Sequence, residues 1–288
     1  MSVKVMLSLL QGTSGDTSVL GCAQIVANKY SAHINALHMR PDPSTLVPYV
    51  GDGMSGAVVE QILTSAEREA DERATNARAC FDTWQSNSGL PFVEKPSADD
   101  KASCAWIEAT GQREKIIAHQ GHTADLVVVA RPADKSDYSA ELEFETALVE
   151  SGRPLLLAPP GDISEFGTRI VIGWNDSVEA SRAVAAALPF LRDAAAITIA
   201  TVDGGGEASA NGEALMQYLA WHGIKAKFVI AKDENRNTGM ALLSQVEEAD
   251  ADMLVMGAYS HSRLRELIFG GVTRHVLQSA KIPVLVGH

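Results

Sequence analysis

The sequence predicts an α/β protein of two tandem domains, each a five-stranded parallel sheet with helices on both faces. Three observations predict it. Short β-branched apolar runs alternate with segments of helical periodicity, the pattern of parallel strands buried on both sides. The chain echoes itself: Asp125-Leu126-Val127-Val128-Val129-Ala130 returns as Asp252-Met253-Leu254-Val255-Met256-Gly257, and Ser151-Gly152-Arg153-Pro154-Leu155-Leu156-Leu157 as Ala280-Lys281-Ile282-Pro283-Val284-Leu285-Val286, at offsets of 127 and 129 residues. Finally, 288 residues, 46% hydrophobic and 21% charged, suffice for two ordinary soluble domains. The turn-rich stretch from Pro159-Pro160-Gly161-Asp162 to Gly167 divides them into residues 1–160 and 166–288.

The second copy shows its elements most clearly. Ile170 to Trp174 reads as a buried strand, and Asp176-Ser177-Val178-Glu179 as a capping box with Asp176 at the N-cap. Ala180, Val184, Ala187, Leu188 and Leu191 continue at helical spacing. Ile197 to Val202 is the second strand, Ala214 to His222 a helix ended by Gly223, and Ala226 to Ile230 the third strand. A helix over Gly239 to Glu248 leads to the fourth strand, Asp252 to Gly257. The last helix carries Val272, Val276, Leu277 and Ala280 on one face, and Pro283 to Val286 is the fifth strand.

The first copy follows the same order, with strands expected at Val3 to Leu9, His33 to His38, Phe92 to Glu94, Asp125 to Ala130 and Pro154 to Ala158. It is longer in the middle. An insertion near 40–85 opens with the Pro/Gly-rich loop Pro41 to Gly56 and continues as a long helix with Val58, Val59, Ile62, Leu63 and Ala66 on one face. Cys104 and Trp106 are expected on a helix, and Trp174 and Trp221 as packing residues.

Composition narrows the function. The net charge of −12 is uneven, −9 over residues 1–150 and −3 over 151–288, and an acidic surface repels nucleic-acid backbones. No apolar run approaches the ~18 residues that cross a bilayer, and the start of the chain has no secretory pattern. Cys22, Cys80 and Cys104 match no disulfide or zinc spacing and read as reduced thiols. His119 and His122 lack a third ligand at metal spacing. No Walker loop or nucleophile elbow is present.

Ligands of open parallel sheets sit beyond the carboxyl ends of the strands. There the second copy places Gly257, Ser260 and then Gly270-Gly271-Val272-Thr273, a small-residue helix start suited to phosphate. His261, Arg263 and Arg265 lie on the connecting loop. Gly257-x2-Ser260-x9-Gly270-Gly271-Val272-Thr273, after an apolar strand and before Ile282-Pro283-Val284-Leu285-Val286, resembles the nucleotide loop of universal stress proteins, Gly-x2-Gly-x9-Gly-Ser/Thr. Ser260 and Gly271 depart from that pattern, the first replacing a glycine and the second a hydroxyl residue.

The resemblance covers both copies. It implies a cytoplasmic tandem universal stress protein of Rossmann-like, adenine-nucleotide-binding type. Its domains would pack as a pseudo-dimer through the final strands, Pro154 to Ala158 and Pro283 to Gly287. It further implies ATP, ADP or AMP as cofactor, with Mg²⁺ carried by the phosphates. Asn175 matches the ribose-binding Asp, Val202 the position whose backbone meets adenine, and Gly257 the backbone beside the ribose. Ser260, Gly270, Gly271, Val272 and Thr273 match the phosphate cradle, and Arg263 is a candidate phosphate contact. For Asn175 the alternative is a simple strand-end turn, for Gly257 and Gly270-Gly271 simple turn and helix-start glycines, and for Arg263 a solvated charge. In the first copy Ala130 and Ala133 match Gly257 and Ser260, and Glu143, Phe144 and Glu145 fall where Gly270, Gly271 and Val272 stand, which implies a degenerate site. The expected role is stress regulation, with at most slow ATP hydrolysis, an unknown protein partner, and tandem chains that can associate as homodimers. The alternatives are an interaction module with both sites decayed and a small hydrolase.

Overall fold

A computed structural model describes residues 3–41, 56–96, 101–131, 138–202, 208–232, 237–258 and 271–288. Its first half runs β1 (Val5–Leu10), α1 (Gly15–Tyr30), β2 (His33–Pro41), α2 (Gly56–Ser88), β3 (Ser103–Gly111), α3 (Arg113–Gly121), β4 (Leu126–Ala130), α4 (Tyr138–Glu150) and β5 (Leu155–Ala158). The second runs β6 (Arg169–Gly173), α5 (Val178–Asp193), β7 (Ala196–Val202), α6 (Ala208–Trp221), β8 (Lys227–Ala231), α7 (Thr238–Glu248), β9 (Met253–Gly257), α8 (Gly271–Ser279) and β10 (Val284–Gly287).

The ten strands form one sheet in the order β3-β2-β1-β4-β5-β10-β9-β6-β7-β8. Each half is parallel throughout, and the halves meet where β10 runs antiparallel to β5, pairing Leu285 with Leu156. The final strands are therefore the seam, as the pseudo-dimer requires. β4, β5 and β9 are apolar along their length and buried on both faces.

The repeated aspartates anchor the opposite, amino end of the sheet. Asp125 accepts the backbone N–H groups of Lys4 (2.8 Å) and Val5 (3.0 Å), and Asp252 accepts those of Gly167, Thr168 and Arg169 (3.0 Å each). The echo that divides the sequence is thus partly a structural lock between the fourth and first strands.

Two cores cover the sheet, one per face, and each runs across both halves. One gathers α1, α5 and residues such as Leu156 and Leu285; the other gathers Phe144, Leu148, Leu242 and Val276 from α4, α7 and α8, with Ala280 just past α8. Because β1 lies beside β4 and β6 beside β9, with the helices that follow them on opposite faces, each half has one crevice at its strand carboxyl ends.

Several expectations need correction. The third strand is β3, not Phe92 to Glu94, and it contains Cys104 and Trp106. Phe92 makes only an isolated bridge with Cys104, on the outer edge of β3. The helical reading of Cys104 and Trp106 fails because packing against Phe81 of α2 overrides local propensity; the Phe81 and Trp106 ring centroids lie 5.3 Å apart. The helix after β6 is capped by Ser177, whose hydroxyl accepts from the Ala180 N–H (3.1 Å), while Asp176 takes a left-handed turn at φ 57°. Trp221 is 91% exposed and so is not a packing residue, whereas Trp174 is buried. The inserted helix is longer than expected, 33 residues, and only Ala74, Ala77 and Phe81 of it are buried. Most of the Pro41 to Gly56 loop lies outside the described residues.

Candidate functional site

The second half's crevice opens beyond β6 and β9. Asn175, two residues past β6, is exposed and its Oδ1 accepts the Ser177 N–H (3.3 Å), an Asx turn leading into α5. Val202 ends β7, half-buried and paired with Ala231 on β8. Gly257 ends β9, and a Cβ there would run into the Ala180 backbone N of the first turn of α5. Close packing alone therefore accounts for a glycine at 257.

α8 begins at Gly271, with Val272 half-buried and Thr273 buried. Its start is braced by α7: a Cβ on Gly239 would lie 3.1 Å from the Val272 carbonyl oxygen and press on His275. Since β6, β7 and β9 are parallel, Asn175, Val202 and Gly257 share one end of the sheet. Ser260, Arg263 and Gly270 lie outside the described residues.

The first half's crevice is built differently. β1 is followed by Gln11-Gly12-Thr13-Ser14, and Asp16 of α1 reaches back to accept the N–H groups of Gln11 (2.9 Å) and Gly12 (2.8 Å). Asp16 is fully buried, and burial raises its pKa against the lowering by those N–H groups and by nearby His38. Gly12 is left-handed at φ 73°, and a Cβ on it would meet the Arg73 backbone carbonyl of α2. The inserted helix thus lies directly on the first half's strand ends.

Sequence reasoning missed Asp16. The signal was an Asp six residues after the end of β1 in the first copy, where the second has Ala180, but nothing local fixes its direction. The expected placement of Glu143, Phe144 and Glu145 at a helix start is also corrected. α4 begins at Tyr138, a full turn earlier, so Glu143 and Phe144 lie inside it and Phe144 is wholly buried in the core. The count failed because α4 has 13 residues and α8 nine.

The thiols are poorly placed for chemistry. Burial pushes Cys22 to about 12 and Cys104 to about 11, and raises Cys80. Among the described residues no helix is long and apolar enough to cross a membrane.

With this geometry in view, the comparisons are specific. Residues 168–288 match the universal stress protein family model. A universal stress protein of Synechocystis is 44% identical over 45 residues, 16% of this chain and 16% of that protein, so the match spans about a sixth of that relative's length. A universal stress protein structure from Archaeoglobus fulgidus superposes over 100% of this chain and 99% of its own, at TM-score 0.66 and 16% identity. A functionally unknown protein from Pseudomonas aeruginosa covers 99% of this chain and 92% of its own, at TM-score 0.59 and 15% identity. The cytoplasmic domain of a prokaryotic cation chloride cotransporter covers 99% of this chain and 95% of its own, at TM-score 0.51 and 10% identity. At such identities the structures establish a shared fold over both halves, and a fold hosts more than one function.

Proposed function

We propose that the chain is a tandem universal stress protein whose second domain, residues 166–288, binds an adenine nucleotide, ATP first, and whose first domain, residues 1–160, is a non-binding partner. The role is regulation under stress in the cytoplasm, with hydrolysis slow at most. The observation that carries this reading is the position of the family-matched segment. It contains the β6/β9 crevice, and α8 starts on the chain that leaves β9.

Backbone N–H groups at Gly271, Val272 and Thr273 would meet the phosphates, as helix starts do. The Asn175 carboxamide would meet a ribose hydroxyl, the Val202 backbone the adenine, and the Gly257 backbone the ribose edge. Ser260, Gly270 and Arg263 would complete the cradle from the connecting loop. Within the described residues the fit rests on backbone donors and one neutral amide, none of them an added negative charge, which suits a site that must hold an anion on a protein of net charge −12. Any Mg²⁺ would be carried by the phosphates.

The first half is the non-binding one because its own carboxylate already occupies its turn. Asp16 takes two N–H groups at the end of β1, and α2 covers the same turn.

The test is Gly271→Val. A Cβ branch at the start of α8 obstructs phosphate, and losing one or two charge-assisted hydrogen bonds costs about 1.5–3 kcal/mol each, so ATP affinity falls at least about tenfold. Calorimetry should show one site per chain in the parent, with circular dichroism confirming the variant's fold. Unchanged affinity in a folded variant, or two equivalent sites in the parent, defeats the assignment.

One observation favours a second reading, an interaction module without nucleotide: packing against α5 already explains Gly257. Mass spectrometry of heat-released ligand separates the two, nucleotide supporting the first and its absence the second.

A further inference from the structure

Arg131 leaves the end of β4 in the first half but reaches into the second. Its backbone N–H donates to the Ala158 carbonyl (2.8 Å), which fixes its start beside the seam. Its guanidinium Nη1 donates to the Gln278 carbonyl (2.6 Å), in the last turn of α8. A cation at a helix C-terminus meets orphan carbonyls and the negative end of the helix dipole together.

Among the described residues the link is made from one side. Ala130 pairs with Ala158 as Gly257 pairs with Gly287, so Ala258 is the counterpart of Arg131. Ala258 repeats the backbone bond, to the Gly287 carbonyl (2.9 Å), but its methyl group cannot reach α4. α8 is also a helix that needs holding. At nine residues it is too short to stand alone, and its described attachments include Val272 and Val276 against the core, Ala280 just past its end and the brace from α7.

We propose that Arg131 is a positioning residue for the nucleotide site: the first domain clamps the C-terminal end of α8 and so fixes the aim of the N–H groups at Gly271 to Thr273. This rests on the nucleotide reading above. It gives the non-binding domain a task in binding, and it makes phosphate affinity depend on the seam between the halves.

The experiment uses the full chain with Arg131→Met, which keeps the length of the side chain but removes the donor, and Arg131→Lys, which restores a cation with fewer directed donors. ATP and adenosine affinities are measured beside amide hydrogen exchange of residues 271–279. In Arg131→Met, ATP affinity should fall about three- to tenfold, adenosine affinity should hold, and exchange in α8 should quicken; Arg131→Lys should recover part of each. A variant that weakens ATP and adenosine equally, or changes neither, overturns the proposal, since general loosening of the domain would not read phosphate selectively. If the parent itself binds neither ligand, the nucleotide reading fails and this role falls with it, while the exchange rates still report whether Arg131 anchors α8.

Discussion

The turns after β1 and β6 share one backbone plan and differ in what fills it. Met6 and Ile170 hold equivalent places, each paired with the fourth strand of its half. Gly12 then matches Asp176, and both are left-handed, at φ 73° and 57°. Thr13 and Ser177 follow, each accepting a nearby N–H through its hydroxyl, from Gly15 at 3.3 Å and from Ala180 at 3.1 Å. At the next contrast the halves part. Asp16 returns its carboxylate to the turn, where Ala180 has only a methyl side chain and its backbone packs close to Gly257. The strand–helix contact is even exchanged: Gly15 on α1 faces the Ala130 methyl on β4, whereas Ala180 on α5 faces Gly257 on β9. Two halves of one fold can thus keep the same turn geometry while one fills its turn with its own carboxylate.

The strongest way to break the comparison is to separate the halves. Leu156 and Leu285 face each other at the seam, both fully buried, and both cores cross it. Residues 166–288 expressed alone would expose the edge of β10 and apolar surface on both faces, so they should self-associate through that edge. Sedimentation at high concentration checks this; a clean monomer would mean that the seam is not what completes each half.

Next in size is Phe144→Ala. Phe144 is wholly buried beneath the sheet rather than lying in the first half's crevice. The cavity should cost about 3–5 kcal/mol of stability, read from urea unfolding. ATP affinity per folded chain should not move. A stability change under about 1 kcal/mol would place the ring outside the core.

How much of this was legible in the sequence depends on how local the signal is. Strands such as Leu126–Ala130 and Met253–Gly257 are apolar runs buried on both faces, whereas the seam between the final strands was expected only from the family resemblance. The edge strand β3 was hidden. Ser103–Gly111 mixes buried Cys104 with exposed polar residues and good helix formers, and only its neighbours β2 and α2 make it a strand. For the site, the residue types at Asn175, Val202 and Gly257 could be placed because strand ends are locally marked. The clamp from Arg131 and the carboxylate of Asp16 could not, since each depends on where a side chain travels after its backbone position is fixed.

The smallest effect expected is also the finest probe of the contrast between Asp16 and Ala180. Burial raises the Asp16 pKa above its ordinary 3.8 in the folded chain, despite two backbone N–H partners. A carboxyl whose folded pKa exceeds its unfolded value binds protons more tightly when folded. Its favourable contribution is therefore present at low pH and is lost as pH rises through the folded pKa. Asp16→Asn removes that titration while leaving one carbonyl oxygen to accept an N–H. As pH rises from about 4 through the raised folded pKa, the parent should lose stability relative to the variant, a trend read as the difference between their urea midpoints. Parallel curves would mean that the N–H groups and burial cancel at this carboxylate. A parent that gains on the variant as pH rises would mean that the ionised form is the favoured one, and that the first half holds an anion at its strand ends as readily as the second is proposed to hold phosphate.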